Sequence, residues 1–495
     1  MKWNGRSVFV VALVCMVASS LLTLAVVRGG SASIGTQGAV ATAGNLLSLG
    51  GSQSYPKEFS KLFDTYQIIK KNYVHDVPSE QLIEGAIEGM VGSLDDPYSS
   101  YMDPTAAEEF NTSLHSSFEG IGAEVTLKNG RVTIVSPFKG SPAELAGLRA
   151  NDQILSVNGE SLEGLDLQKA VSKIRGPKGT KATLKVLRPG MTEPITVVVI
   201  RDNIPIETVH QSIIQRGADK FGRIEITQFS ADTAKHFFEE LAQLEKENIK
   251  GLIIDVRGNP GGYLTAVREI AEQLIPEKKA IVKIEYGDKS REVEEYHSKV
   301  DAAKPYPIVV LTDGGSASAS EILAGAMSES GGYKLVGEKT FGKGTVQNTV
   351  EMGDKSQLKL TIAKWLTPNG EWINKKGIEP DVAVSQPEYF KATQLPQDKV
   401  LEQDMTGVDV KNLQLILNGL KLSPGRNDGY FDAKTKAAVE RFQKENNLPV
   451  TGKVDPATGA ALQDALIEQI RDPKNDNQLQ KALDVLQQEV KAKGK

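Results

Sequence analysis

Cysteine and histidine are scarce in this 495-residue chain: there is one cysteine, Cys15, and five histidines, His75, His115, His210, His236 and His297. One cysteine excludes an intramolecular disulfide framework and cysteine-ligated zinc. Five histidines scattered over the whole length leave little for a hydrolytic site built on imidazole. A basic excess is also missing. Acids number 63 against 58 bases, a net charge of −5, which argues against a dedicated nucleic-acid binder. What remains is ordinary globular material, 40% hydrophobic and 24% charged, neither disordered nor fibrous. At ~150 residues per domain the length suggests about three domains.

The first segment bears on the compartment. Lys2 and Arg6 precede Ser7 to Val27, 21 residues without a charge, and Arg28 follows. That run matches the ~20 residues of a membrane-spanning helix and exceeds the ~7–15 of a signal-peptide core. Residues 1–29 are therefore expected to form a signal anchor or transmembrane helix, with the N-terminus inside and the rest exported. Secretion after cleavage is the alternative. Cys15 falls in mid-run as a bystander.

Further along, 30–56 is a Gly/Ser/Ala-rich linker. Residues 57–115 read as a helical N-terminal region, with Leu62, Phe63, Tyr66 and Ile69 at helical spacing. From 116 to 202 the apolar period shortens to two, interrupted at Gly140-Ser141-Pro142-Ala143, where Ser141 suits an N-cap and Pro142 a first helical turn. Residues 203–390 alternate buried strands (251–256 and 308–311) with helices (232–247, 263–273 and 318–328), an α/β core with parallel strands. A polar linker (391–403), a small helical module (404–466) and a C-terminal helix (467–495) complete the chain. In that last helix Leu479, Leu483, Leu486 and Val490 share one stripe, suited to dimerisation or to capping the preceding domain. The fold class expected is thus multidomain, α/β and α+β.

Two core segments combine small residues with reactive ones. Asp313-Gly314-Gly315-Ser316-Ala317-Ser318-Ala319-Ser320-Glu321 follows a buried strand and opens a helix, whose free N–H groups suit an oxyanion. Gly342-Lys343-Gly344-Thr345-Val346-Gln347 places a lysine between two glycines, so that neighbouring elements can pack closely over it. Three near-matches fail. Residues 337–343 read as a phosphate loop, but Gly344 stands where the magnesium-binding hydroxyl belongs. Residues 314–318 lack the closing glycine of a nucleophile elbow. Ser356-Gln357-Leu358-Lys359 satisfies the S-x-x-K pattern but lies in an alternating strand rather than on a helix.

Four segments in order resemble the C-terminal processing peptidases, serine proteases with a serine–lysine site. They are Leu94-Asp95-Asp96-Pro97-Tyr98-Ser99-Ser100-Tyr101-Met102, then 251–262 ending Asn259-Pro260-Gly261-Gly262, then 316–321, then 340–347. The resemblance implies Ser318 as nucleophile, Lys343 as base and Gln347 as its assistant, with no metal or cofactor. A lysine takes a proton only when neutral, and an ordinary pKa of ~10.4 must fall to ~7–8 for that at neutral pH. Lys343 is therefore expected to be desolvated, far from any carboxylate, and oriented by the uncharged Gln347. The oxyanion hole is expected from the Ala319 N–H and a glycine N–H of 260–262, and the resemblance implies Gly262 in preference to Gly261.

Two flanking modules carry resemblances of their own. Phe118 to Ala123, with 140–159, resembles a PDZ domain, which binds a peptide as an added strand and captures its terminal carboxylate with loop N–H groups. Gly120, Ile121, Gly122 and Ala123 are the candidates, and Arg175 is a candidate for coupling this domain to the protease. Residues 404–466, through Leu413, Gln414, Gly429-Tyr430-Phe431-Asp432, Phe442-Gln443 and Gly452, resemble a peptidoglycan-binding module. The combined expectation is an exported serine endopeptidase, a homodimer, cleaving protein substrates near C-termini that its PDZ domain docks. Peptidoglycan is a further partner and nucleic acid is not. The rival is a non-catalytic PDZ and wall-binding scaffold.

Overall fold

The structure, a computed structural model, describes residues 56–114, 116–128, 130–396 and 398–493. The expected anchor, with Cys15, and most of the following linker lie outside those residues. Among the described residues no helix is long and apolar enough to cross a membrane.

The α/β core rests on a six-stranded sheet in the order Val209–Arg216, Asp219–Ile226, Gly251–Asp255, Ile308–Thr312, Lys334–Gly337, Val382–Ala383. Its first pair is antiparallel and the others parallel. Gly251–Asp255 and Ile308–Thr312 are buried at every position, as strands covered on both faces must be. Ile224, Ile226, Leu252, Ile254, Ile308 and Val310 pack beneath the helices Thr233–Lys246, Leu264–Leu274 and Ala319–Gly325. Phe221, Ile253, Val309, Leu311 and Val336 face the opposite way, onto Leu479, Ala482, Leu483 and Leu486 of the terminal helix Asn477–Lys493. The leucine stripe thus caps the six-stranded sheet, so its apolar face is not available to a second chain. Asp476 ties that helix down, accepting from the Arg257 guanidinium (2.8 and 3.0 Å), Gln386 Nε2 and the Leu479 N–H.

A second, antiparallel sheet runs Ser100–Met102, Gln357–Leu366, Ala280–Tyr286, Glu294–His297, with Thr345–Glu351 also paired to Gln357–Leu366. The N-terminal region is therefore not purely helical: residues 100–102 form a strand of this second sheet, and the helix Pro104–Leu114 lays Phe110 and Leu114 beside Met102. The helices Glu58–Asn72 and Ser79–Gly92 bury no residue.

The expected PDZ domain is a sheet ordered Ala123–Lys128, Arg131–Pro137, Gln153–Val157, Lys181–Leu187, Ile195–Ile200, entered and left by the ribbon of Ser117–Gly120 with Asp202–Pro205. Ser141 caps its short helix as expected, accepting from the Glu144 N–H at 3.3 Å with Pro142 at the first turn.

Two sequence boundaries move. The stretch 391–403 is no linker, because Leu395 and Leu401 are buried in the core of the C-terminal module, where Leu401 bridges to Val454. The expected break at 466 falls inside the helix Pro456–Arg471, whose Leu462 and Leu466 belong to that core.

Candidate active site

The site assembles at the carboxyl ends of the two central parallel strands, where an open α/β sheet presents its loops. The loop after Gly251–Asp255 carries 256–262, and the turn after Ile308–Thr312 carries 313–318. Hydrogen bonds stitch the two together. Ser316 Oγ donates to the Val256 carbonyl at 2.8 Å. The Ala317 N–H and Ser320 Oγ both donate to the Asn259 carbonyl, at 3.0 and 2.9 Å. Asp313 Oδ1 accepts from the Gly258 and Gly315 N–H groups. Two serines of the Ser-Ala-Ser-Ala-Ser run thus hold structure. The middle one, Ser318, sits at the head of the helix with φ +54° and ψ −109°, a conformation costing ~1–3 kcal/mol in a residue with a side chain.

What holds Ser318 in that strained turn, and brings Lys343 to it, is Glu321. Its carboxylate is fully buried and accepts four donors: Ser318 N–H (2.9 Å), Lys343 N–H (2.8 Å), Gly342 N–H (2.7 Å) and Thr340 Oγ1 (2.6 Å). Burial pushes this carboxyl above its usual range against the pull of those donors. One oxygen, Oε2, is shared by the backbone N–H groups of Ser318 and Lys343. The role was readable, since Ser318-Ala319-Ser320-Glu321 has the S-x-x-E form of a helix capping box.

Both glycines flanking Lys343 are required by close packing. A Cβ on Gly342 would lie 2.9 Å from the Gly377 nitrogen, and one on Gly344 2.8 Å from Trp372 Nε1. Trp365 Nε1 donates to the Lys343 carbonyl at 2.9 Å. The lysine side chain has no exposed surface, and Nζ lies 4.8 Å from the centre of the Tyr98 ring. Desolvation, then the charge of Lys359, lowers its pKa from 10.5 to about 7, opposed by Asp96 and Glu321.

Two expectations about the lysine are corrected. It is not remote from carboxylates, because the 94–102 segment places Asp96, and the capping residue places Glu321, close enough to act on it. Nor does Gln347 orient it by a hydrogen bond: Gln347 Nε2 is spent on Thr345 Oγ1 (2.9 Å) and Thr361 Oγ1 (3.1 Å), and Oε1 is buried with no partner. Gln347 is nonetheless fully buried beside a bulge at Val346, on the strand that continues directly from Lys343.

The glycine loop separates its two candidates. The Gly261 N–H is already bonded to Asn259 Oδ1 at 2.8 Å. The N–H groups of Gly262 and Ala319 take no acceptor among the described residues. A Cβ on Gly262 would fall 2.0 Å from the Phe229 carbonyl oxygen, so no other residue fits there. Gly261 packs directly on Ser318: a Cβ at that position would lie 3.0 Å from Ser318 Cβ and 3.1 Å from the Ala319 nitrogen.

In the expected PDZ domain, Gly120 closes the entry ribbon, Ile121 and Gly122 form the loop, and Ala123 opens an edge strand. The Ile121 and Gly122 carbonyls point inward, accepting from Ala143 (2.7 Å) and Phe138 (2.9 Å). Arg175 stacks its guanidinium 4.7 Å from the centre of the Phe118 ring, joining the domain's helix Leu167–Ile174 to the ribbon.

A turn-held serine and a desolvated lysine joined by one carboxylate, beside two N–H groups left open for an oxyanion, are the parts of a serine-type peptidase. The comparisons carry this further. The Peptidase family S41 model matches residues 220–384, a PDZ domain model 133–188, a peptidoglycan-binding domain model 406–462, and the model of the activating protease CtpB N-terminal domain 34–106. The carboxy-terminal processing protease CtpB of Bacillus subtilis is 50% identical over 429 residues, covering 86% of this chain and 88% of that protein. CtpA of the same organism is 41% identical over 490 residues, covering 99% and 100%. The chain belongs to the carboxy-terminal processing proteases of family S41, and is a serine-type peptidase. The scaffold reading falls with that membership.

Proposed function

We propose that this chain is an exported endopeptidase that cleaves protein substrates near their C-termini by serine–lysine catalysis. The observation carrying the proposal is the Ser318–Glu321–Lys343 arrangement, in which one buried carboxylate holds both the strained nucleophile and a lysine poised to be neutral near pH 7. Ser318 Oγ attacks the scissile carbonyl while Lys343 Nζ takes its proton. The Gly262 and Ala319 N–H groups receive the developing oxyanion. The Lys343 ammonium then protonates the departing amine, and water hydrolyses the acyl-serine by the same base in reverse order. Gln347 lines the base's chamber and, through Thr361, joins it to Asp96.

The substrate's C-terminal segment adds as a strand to the free edge of Ala123–Lys128, its carboxylate received by the loop 120–123. This reading is supported by the edge position of that strand and by loop carbonyls that turn inward. Docking gates the protease, with Arg175 as the coupling contact. Export and an N-terminal anchor are supported by the charge and hydropathy of residues 2–28. Binding of peptidoglycan by the C-terminal module is supported by its family match. A homodimer is supported by the two N-terminal helices, which leave Phe59, Phe63, Ile68, Ile83 and Met90 exposed. The deciding experiment is Ser318→Ala: cleavage of an unstructured, apolar-tailed protein is lost while its tail still binds. Unchanged cleavage refutes the assignment.

A further inference from the structure

The active-site lysine is one of two buried lysines in the same chamber. The other, Lys359, belongs to the S-x-x-K near-match that the sequence sets aside. It stands on Gln357–Leu366 opposite Thr349 on one side and Ser100 on the other. Gln347 pairs with Thr361 two residues along, so Gln347, Thr349, Thr361 and Lys359 share one face of the sheet. That face is buried yet polar: Lys359 is 5% exposed, and Gln347 Oε1, Thr349 Oγ1 and Gln357 Oε1 lie buried without partners. The helix Pro104–Leu114 closes it with an apolar residue, the Phe110 ring centre lying 5.1 Å from Lys359 Nζ. Glu109 of that helix faces away, accepting from Gln168 of the PDZ domain at 2.6 Å.

One carboxylate acts on both amines. Asp96 is fixed by Ser99 Oγ (2.6 Å), the Tyr98 N–H (3.1 Å) and the Thr361 hydroxyl, and Ser99 Oγ in turn accepts from the Thr361 N–H (3.0 Å). Burial raises the Asp96 carboxyl, but these hydrogen bonds and the Lys343 charge outweigh it and hold the group below its usual range. The charged groups acting on Lys343 are Lys359 from the neighbouring strand, Asp96 from the 94–102 segment and Glu321 from the nucleophile's helix, with the Tyr98 ring beside it. Asp96 is the charge that acts on Lys359. Glu321 is already engaged by four donors. Two desolvated amines therefore compete for one available counter-charge.

We propose that Lys359 is a positioning residue for catalysis: its ammonium takes Asp96 as counter-ion and repels a second positive charge, so that Lys343 is left neutral and able to accept the serine proton. The proposal rests on Lys343 being the base. Burial lowers the pKa of both lysines and Asp96 opposes it at both, while the charge of Lys359 adds to the lowering at Lys343.

The test is the pH profile of kcat/KM for cleavage of an unstructured protein substrate, with Lys359→Met, Lys359→Arg, Asp96→Asn and the double variant Lys359→Met/Asp96→Asn. In the wild type the acid limb falls near pH 7. Lys359→Met leaves Asp96 to Lys343 alone, raising its proton affinity. The limb moves up by about one unit, giving roughly tenfold lower kcat/KM at pH 6 and near-normal values well above the limb. Lys359→Arg keeps the limb in place, Asp96→Asn moves it down, and the double variant returns it toward the wild-type position. An unmoved limb in Lys359→Met, or a loss of the same factor at every pH, overturns the proposal. Should Lys359→Met not fold, an unmoved or raised limb in Asp96→Asn overturns it equally. A wild type with no acid limb, or cleavage by Ser318→Ala, would instead overturn the lysine-base reading beneath it.

Discussion

A lysine kept neutral by burial is a stability cost that substitution removes. The Lys343 pKa falls from 10.5 to about 7 because burial penalises the charged form. At about 1.4 kcal/mol per unit, that depression corresponds to about 5 kcal/mol, a large share of the ~5–15 kcal/mol that stabilises a typical domain. The unfolded chain holds this proton up to about pH 10, whereas the folded chain releases it near 7. Between those values the unfolded state binds more protons, so stability rises with pH; below 7 the full penalty stands. Lys343→Met keeps the volume and the unbranched shape while deleting the charge. It is expected to raise the unfolding free energy of the protease core by ~2–4 kcal/mol at pH 6, the lost contact with the Tyr98 ring offsetting part of the gain. The advantage then shrinks by about 1.4 kcal/mol per pH unit from 7 to 10, because the wild type recovers what the variant never lost. Lys359 titrates in both proteins, and the repulsion it exerts on Lys343 is already part of the depression given above. Urea unfolding of both proteins at pH 6, 7.5 and 9, compared at a common m-value, measures this directly. A difference independent of pH, or a variant less stable at every pH, would show that the amine is not held neutral by desolvation, and the mechanism would lose its base.

Two further outcomes follow from the packing. Glu321→Gln keeps the size but turns one acceptor oxygen into an NH2 group facing two buried donors; unmatched buried groups cost ~1–3 kcal/mol each. Thermal unfolding should report a loss of ~2–5 kcal/mol, and kcat should drop at least 100-fold with KM little changed, since the pair it aligns is Ser318 and Lys343. Leu483→Ala, beneath the six-stranded sheet, should destabilise the protease core by ~2–5 kcal/mol without altering unfolding of the 395–471 module. Chemical denaturation followed by hydrogen exchange separates the two units.

The legible parts of this fold were those whose physics is local in sequence. Continuous apolar runs marked the central strands 251–255 and 308–312, three- and four-residue spacing marked the helices around 233–246 and 264–274, and Ser141-Pro142 marked a capped turn. Boundaries failed where a few residues bury at long range: Leu395 and Leu401 stand in a polar, proline-marked stretch, and nothing nearby announces that 401 pairs with 454. The terminal leucine stripe was visible, but not the sheet face it covers. At the site, the serine and the lysine were readable from their small-residue surroundings, and the glycines at 342 and 344 from the closeness they permit. The acid beside the lysine was not, because Asp96 precedes it by 247 positions and reaches it through a three-residue strand paired to 357–359.

That strand gives the chamber a dependence on the N-terminal segment. Ser100–Met102 pairs with Gln357–Leu366, and the residues just before it deliver Asp96, Tyr98 and Ser99 to the lysine side of the same sheet. The residues just after it form the helix that closes the chamber with Phe110 and continues into the PDZ ribbon. One stretch, 94–120, therefore supplies the counter-charge, covers both buried amines and connects to the peptide-binding domain. A shift of that stretch changes solvent access and the distance to Asp96 together, and each of these moves the proton affinity of Lys343. Withdrawing Asp96 favours the neutral base, while admitting water favours the charged one, so the two effects oppose. Between them desolvation is the larger influence on Lys343. On the serine–lysine mechanism proposed above, an opened chamber would therefore hold a protonated Lys343 and lose its base.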